Sequence, residues 1–172
     1  MKILILILLA CLALTACTQT AKKDKQNGQT EMCCTVSQGE ALLNILNANG
    51  QSLIVLNNDS LSYHNARGVQ DLIQLTSDEP ERLKGASVAD KVVGRAAAAL
   101  MIAAGVSEVH TNLISTPALQ MLQEAGVRVY ATEEVPQILN RDRSDQCPIE
   151  ATLNDADNVE ECVAILKARF QN

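Results

Sequence analysis

Cys147, in the run Cys147-Pro148-Ile149-Glu150, is the residue of this chain most suited to act as a nucleophile. Pro148 is well suited to open a helix, and a helix N-terminus favours the thiolate. Glu150, three residues on, is an acid/base within reach of such a thiol. The plainer reading is a buried structural thiol or half of a disulfide. Neither His64 nor His110 is near Cys147 in sequence, so no Cys–His pair is evident.

A second constellation is Ser87-x-x-Asp90-Lys91, with Lys84 and Arg95 close by. Ser87 and Asp90 have the spacing of a capping box, each satisfying a backbone N–H at a helix start. Lys84, Lys91 and Arg95 beside such a start could hold an anion such as phosphate, or they are solvated surface charges. Lys91 also offers an amine nucleophile, so a non-zinc enzyme would use Cys147 or Lys91 with Asp90 or Glu150 as acid/base. Asn140-Arg141-Asp142 adds a guanidinium suited to carboxylate or phosphate, or a hydrogen-bonded loop. No spacing reads as a zinc site: the domain lacks a CxxC pair and its two histidines are far apart. Neither metal nor cofactor is expected.

These residues must be positioned by a core with 2% aromatic content, built from Leu, Ile, Val and Ala. Helical spacing begins near Val36 and runs through Leu42, Leu43 and Leu46 to a stop at Asn49-Gly50. Ser52 to Leu56 and Leu61 to His64, around Asn57-Asn58-Asp59-Ser60, predict an antiparallel hairpin. Arg67-Gly68 breaks the chain before a short helix over Val69 to Leu75, and Asp78 to Lys84 is a charged connection. Ser87 to Ala104 reads as one helix, its small Ala96-Ala97-Ala98-Ala99 centre suited to close packing on a sheet. Val106 to Ile114, Pro117 to Glu124 and Val127 to Ala131 read as strand, helix and parallel strand. Glu133 to Leu139 is expected as a short helix and Asn158 to Phe170 as a longer closing one. The order predicts a three-layer α/β/α sandwich with a mixed sheet.

Location is written at the other end. Lys2, the apolar run from Ile3 to Ala13 and Leu14-Thr15-Ala16-Cys17 form a lipobox, too short to span a bilayer. The expectation is a signal peptide over 1–16, an acylated Cys17 anchoring the chain to a lipid bilayer, and a polar tether to residue 35. The tether reaches on the order of 20 Å, and residues 36–172 form the domain. This places the protein in the cell envelope, on the exported side of a membrane. Cys33, Cys34, Cys147 and Cys162 would there allow two disulfides in any of three pairings. A net charge of −6 argues against a nucleic-acid partner.

Three stretches together carry a resemblance: Ala66-Arg67-Gly68-Val69; Lys84 to Ala97; and Asn140-Arg141-Asp142 followed by Cys147-Pro148-Ile149-Glu150. They resemble a bacterial domain-of-unknown-function family with a cytidine-deaminase-like fold, over roughly Leu42 to Leu153. One departure is Arg143, which stands where a glycine is usual in the family. Deaminase-like folds hold a zinc-bound water with H-x-E and P-C-x-x-C at two helix starts. The resemblance puts Val88-Ala89-Asp90 at the first start, with Asp90 in the place of the catalytic glutamate. At the second it puts Ser115 and Ala118 in the places of the cysteines. Valine and alanine cannot ligate zinc, so the resemblance implies a catalytically silent module. Its old cleft would bind a nucleotide-like or other anionic small molecule through Arg67, Lys84, Asp90, Lys91, Ser115, Asn140 and Arg141, with Cys147 and Glu150 nearby. A non-zinc enzyme and an envelope scaffold that binds another protein are the alternatives.

Overall fold

The structure is a computed structural model that describes residues 37–170. The signal peptide, Cys17, the tether, Val36, Cys33 and Cys34 all lie outside the described residues. The first helix, α1 (Gln38–Asn49), starts where the Ser37 hydroxyl accepts from the Glu40 N–H at 3.2 Å, and stops at Gly50 with φ 71°. Strands β1 (Leu53–Asn57) and β2 (Ser60–His64) pair antiparallel. Asn58 and Asp59 between them have φ 47° and 64°, the backbone a two-residue hairpin turn requires and that Asn and Asp tolerate best.

After the hairpin come α2 (Gln70–Asp78), the single turn α3 (Pro80–Leu83), β3 (Ser87–Val93), α4 (Arg95–Ala103), β4 (Glu108–Ser115), α5 (Thr116–Glu124) and β5 (Arg128–Val135). The chain closes with the short α6 (Pro148–Ala151) and with α7 (Val159–Phe170). The sheet order is β2-β1-β3-β4-β5; β1 is antiparallel to both neighbours, and β3, β4 and β5 are mutually parallel. On one face α1 packs Leu42 and Leu46 onto Ile54 and Ala89. The other face carries the larger apolar cluster, in which Ala96–Ala99 of α4 are all buried. Small alanines let α4 lie close to the sheet with α5 and α7 beside it. The expected three layers and mixed sheet are present.

Two expected elements are otherwise. Ser87 to Ala104 is not one helix: β3 occupies its first seven residues, Gly94 breaks the chain, and α4 begins at Arg95. The alanine run favours helix only from Ala96 onward. Upstream, Val88, Val92 and Val93 suit a strand, and β3 is completed by partners on both sides. Ser87 and Asp90 therefore form no capping box. The helix expected over Glu133 to Leu139 is likewise absent, because Glu133, Glu134 and Val135 prolong β5 by pairing with Leu113, Ile114 and Ser115.

Strands β3 and β4 share an irregularity that matters for the site. Alternation would put Val88 and Val93 on opposite faces, yet both enter the same core cluster, as do Val109 and Ile114. The switch lies at matched positions. Asp90 Oδ1 accepts from the Val92 N–H at 3.1 Å, and Thr111 Oγ1 accepts from the Leu113 N–H at 3.3 Å. The regular ladder skips Lys91 and Asn112 between these points. Through this twin kink three consecutive residues, Asp90, Lys91 and Val92, all line one cavity.

Candidate functional site

That cavity, of about 230 Å³, lies where β3 gives way to α4. Asp90 and Lys91 meet Cys147 and Glu150, a pair more than fifty residues away, on its wall, joined by Ser52, Gly68, Gly94 and Ile138. Ligand sites of open α/β sheets form in such crevices beyond the carboxyl ends of parallel strands.

Glu150 is the most constrained of the four, with 4% of its surface exposed. Its Oε1 accepts from the Arg95 backbone N–H at 2.7 Å and from the Ser115 hydroxyl at 3.3 Å, and its Oε2 accepts from the Ile138 N–H at 3.2 Å. Arg95 opens α4, and Ser115 is the N-cap of α5. One carboxylate thus ties together two helix starts, where free N–H groups and the helix dipole favour negative charge. A β-carbon on Gly94 would collide with that carboxylate. The glycine is therefore needed for close approach, since its φ of −102° suits any residue.

Arg95 is not available to an outside anion. Its guanidinium donates to the Leu153 carbonyl at 2.7 Å and to the Ala156 carbonyl at 2.9 Å. It clamps the segment that follows Glu150, so backbone and side chain of this one residue secure both ends of residues 150–156.

Asp90 differs from Glu150. Burial, with the charge of Asp71 adding to it, pushes its carboxyl from the usual range up to about 7, against the opposing hydrogen bonds from the Val92 and Lys91 amides. Part of the residue still opens to the cavity. Near neutrality Asp90 is therefore both a donor and an acceptor. Unfolded Asp90 loses its proton near pH 4, while the folded residue keeps it until about pH 7. The folded state thus binds more protons over that interval, and stability falls as pH rises through it and levels above. Asp90→Asn is expected to remove this slope. Urea unfolding at pH 5, 6, 7 and 8 tests it, and parallel pH profiles for variant and parent would refute the assignment.

Lys91 is half-buried in the cavity wall, and among the described residues no ion pair engages it. Cys147 is a free, partly exposed thiol in the same wall, with its backbone N–H on the Ile138 carbonyl at 2.8 Å. The helix it precedes has four residues, so little dipole acts on the sulfur. Glu150 faces the helix starts and makes no bond to it. Cys162 is a free, fully buried thiol that burial pushes up, so Cys147 and Cys162 are not joined to one another.

The other expected site residues separate. Ser115 is buried as a donor to Glu150. Arg67 is exposed just before Gly68 and Val69, which do line the cavity. Lys84 lies before β3, at the strand's other end, and borders a different hollow with Gly105 and Lys167. Its expected place beside Lys91 followed from the helix that is not there. Asn140 and Arg141 line a neighbouring groove of about 560 Å³, which shares Val92 and Ile138 with the first cavity. Arg143 keeps the turn that a glycine would make, with φ 58°, as the Asn140 side-chain oxygen accepts from the Ser144 and Asp145 amides at 2.9 and 3.3 Å.

His110 lies on the α1 face, stacked on Tyr130 at 4.7 Å between ring centroids and bonded to Glu108 at 2.7 Å. A β-carbon on Gly39 of α1 would strike its ring. Burial raises the Glu108 carboxyl, but hydrogen bonds from His110 and Arg128 hold it below the usual range. His64 bonds to Ser62 at 2.9 Å and does not line the cavity. Neither histidine joins Cys147. Sequence reasoning missed Gly94 and Ser52. Gly94 was legible as a possible break before the alanine run, whereas the inward position of Ser52 has no local signal.

Fold and site together define a mixed, open-sheet α/β domain with a small polar cavity at its strand ends. The chain belongs to the DUF1893 family (TM1506; domain of unknown function), whose pattern it matches over residues 41–170. The crystal structure of a DUF1893 family protein (TM1506) from Thermotoga maritima is similar, with a TM-score of 0.69 and 28% identity. The match covers 76% of this chain and 88% of that one. No curated protein matches the chain.

Proposed function

We propose that this protein is a membrane-anchored lipoprotein, held by an acylated Cys17, whose deaminase-like domain binds an anionic small molecule without zinc chemistry. The reading rests above all on the cavity: Lys91, engaged in no ion pair among the described residues, and Asp90, whose carboxyl burial pushes up to about 7, both line its wall. A ligand with an electron-rich oxygen for Lys91 and an amide-like edge for Asp90 matches these two residues. The strand order β2-β1-β3-β4-β5, with helices starting after β3 and β4, supports the deaminase-like part of this reading.

The residues present do not suit zinc. The first helix start is Gly94-Arg95-Ala96 rather than Val88-Ala89-Asp90, and the second offers Ser115 and Ala118. Neither supplies a histidine or thiolate, and the space between the two starts is filled by Glu150.

A thermal-shift panel of nucleosides, nucleoside monophosphates, pentose phosphates and small carboxylates tests the reading on the intact domain. At least one anionic compound is expected to raise Tm by several degrees, and Lys91→Ala is expected to abolish the shift. A flat panel would sink it. Anchoring is tested separately, since Cys17→Ser would move the protein out of the membrane fraction. A second reading, a non-zinc enzyme with Cys147 as nucleophile, is favoured by the free thiol in the same cavity wall. Slow reaction of Cys147 with iodoacetamide at neutral pH would count against it.

A further inference from the structure

We infer that the groove beside the cavity holds the anionic end of the same ligand, through Arg141 and Arg143. This rests on the small-molecule reading and specifies the ligand as a compact polar head joined to a phosphate or comparable anion.

The first space, about 230 Å³, is smaller than the roughly 300–1,000 Å³ usual for a whole ligand. It takes a single polar ring or a group of that size, and the remainder must lie outside. The adjoining space is the groove of about 560 Å³, which shares Val92 and Ile138 with the cavity. Val92, 42% exposed, and Ile138, 8% exposed, are common to both linings and form an apolar boundary between the two spaces.

Charge then selects the occupant. Arg141 and Arg143 line the groove, both are exposed, and among the described residues neither forms an ion pair. Glu133 is the one acidic residue on the groove wall. Asp142, between the arginines, accepts from the Ser144 hydroxyl at 3.1 Å, and Asp145 accepts from the Gln146 N–H at 2.7 Å. Both acids are thus engaged within the loop. The loop itself is fixed: the Asn140 side chain bonds Ser144 and Asp145, and the Leu139–Gln146 bridge closes its base. Arg143 holds φ 58°, a left-handed conformation that disfavours any residue carrying a β-carbon. A guanidinium is therefore kept at the groove at the expense of backbone strain, on a loop already stiffened to present it.

The test uses the purified protein with nucleoside 5′-monophosphates, the matching nucleosides and inorganic phosphate, measured by calorimetry. The variants are Lys91→Ala, Arg141→Ala and the pair Arg141→Ala/Arg143→Gly. Glycine suits the left-handed turn, so the double variant is expected to fold at least as well as the parent. The expected result is a monophosphate whose Kd weakens roughly tenfold or more in the double variant, while binding of its nucleoside is unchanged. Monophosphate binding that survives the double variant but is lost in Lys91→Ala would overturn the groove assignment and leave the cavity reading standing. Absence of binding by every probe to the parent protein would overturn both.

Discussion

Glu150→Ala is expected to lower the unfolding free energy by about 3 kcal/mol, among the largest effects of any single change in the domain. The carboxylate is buried and accepts from three donors, Arg95 N–H, Ser115 Oγ–H and Ile138 N–H. Removing it leaves those donors facing a void at the starts of α4 and α5. The lost desolvation cost of the charge and any water entering offset part of this, which holds the estimate below the sum over three bonds. Glu150→Gln keeps the shape and one carbonyl oxygen but turns an NH₂ toward a donor, so it should lie between parent and alanine variant. Formate or acetate at tens of millimolar should restore part of the stability of Glu150→Ala by occupying the vacated position. Urea denaturation measures all three. A loss under 1 kcal/mol for the alanine variant would mean that the carboxylate does not hold the two helix starts together.

Gly94→Ala comes next, with an expected loss of about 2 kcal/mol from overpacking. Glycine at this position is not required by the backbone, whose φ of −102° and ψ of −179° any residue adopts. The cost arises because the added methyl meets the Glu150 side chain. That cause makes a sharper statement: in the Glu150→Ala background the same substitution should cost close to nothing. A double-mutant cycle isolates the coupling, expected at about 2 kcal/mol. Equal cost in both backgrounds would show that Gly94 matters for some reason other than Glu150.

Residues 87–97 show how much could be read from the chain and where reading stopped. Helix propensity was correctly assigned to Ala96–Ala99, which are buried in α4 as their small size suggests. Extending that helix back to Ser87 failed because strand formation by Val88, Val92 and Val93 depends on β1 and β4, distant partners that leave no mark on the local pattern. The same cause makes Glu133, Glu134 and Val135 strand rather than helix, since they pair with Leu113, Ile114 and Ser115 of β4. Asp90, Lys91, Cys147 and Glu150 were recognisable by type, and they do share a cavity wall. Their roles are not legible in the chain: Asp90 has the spacing of a helix cap but lies in β3, and Glu150 is near Cys147 in sequence but bonds to Arg95, Ser115 and Ile138.

Local chemistry along the chain was enough to determine the hairpin turn at Asn58-Asp59, the stop of α1 at Gly50, the close-packed alanine helix and the parallel β4–α5–β5 unit. Those features depend on conformational preference, carried by single residues and near neighbours. Tertiary structure alone decided that Glu150 reaches back to Arg95 and Ser115, that Asp90 and Lys91 line one cavity with Cys147, and that the loop carrying Arg143 borders a groove with Val92 and Leu113. Each of these joins segments tens of residues apart or depends on what surrounds a charge, and burial and register exist only once the sheet has formed.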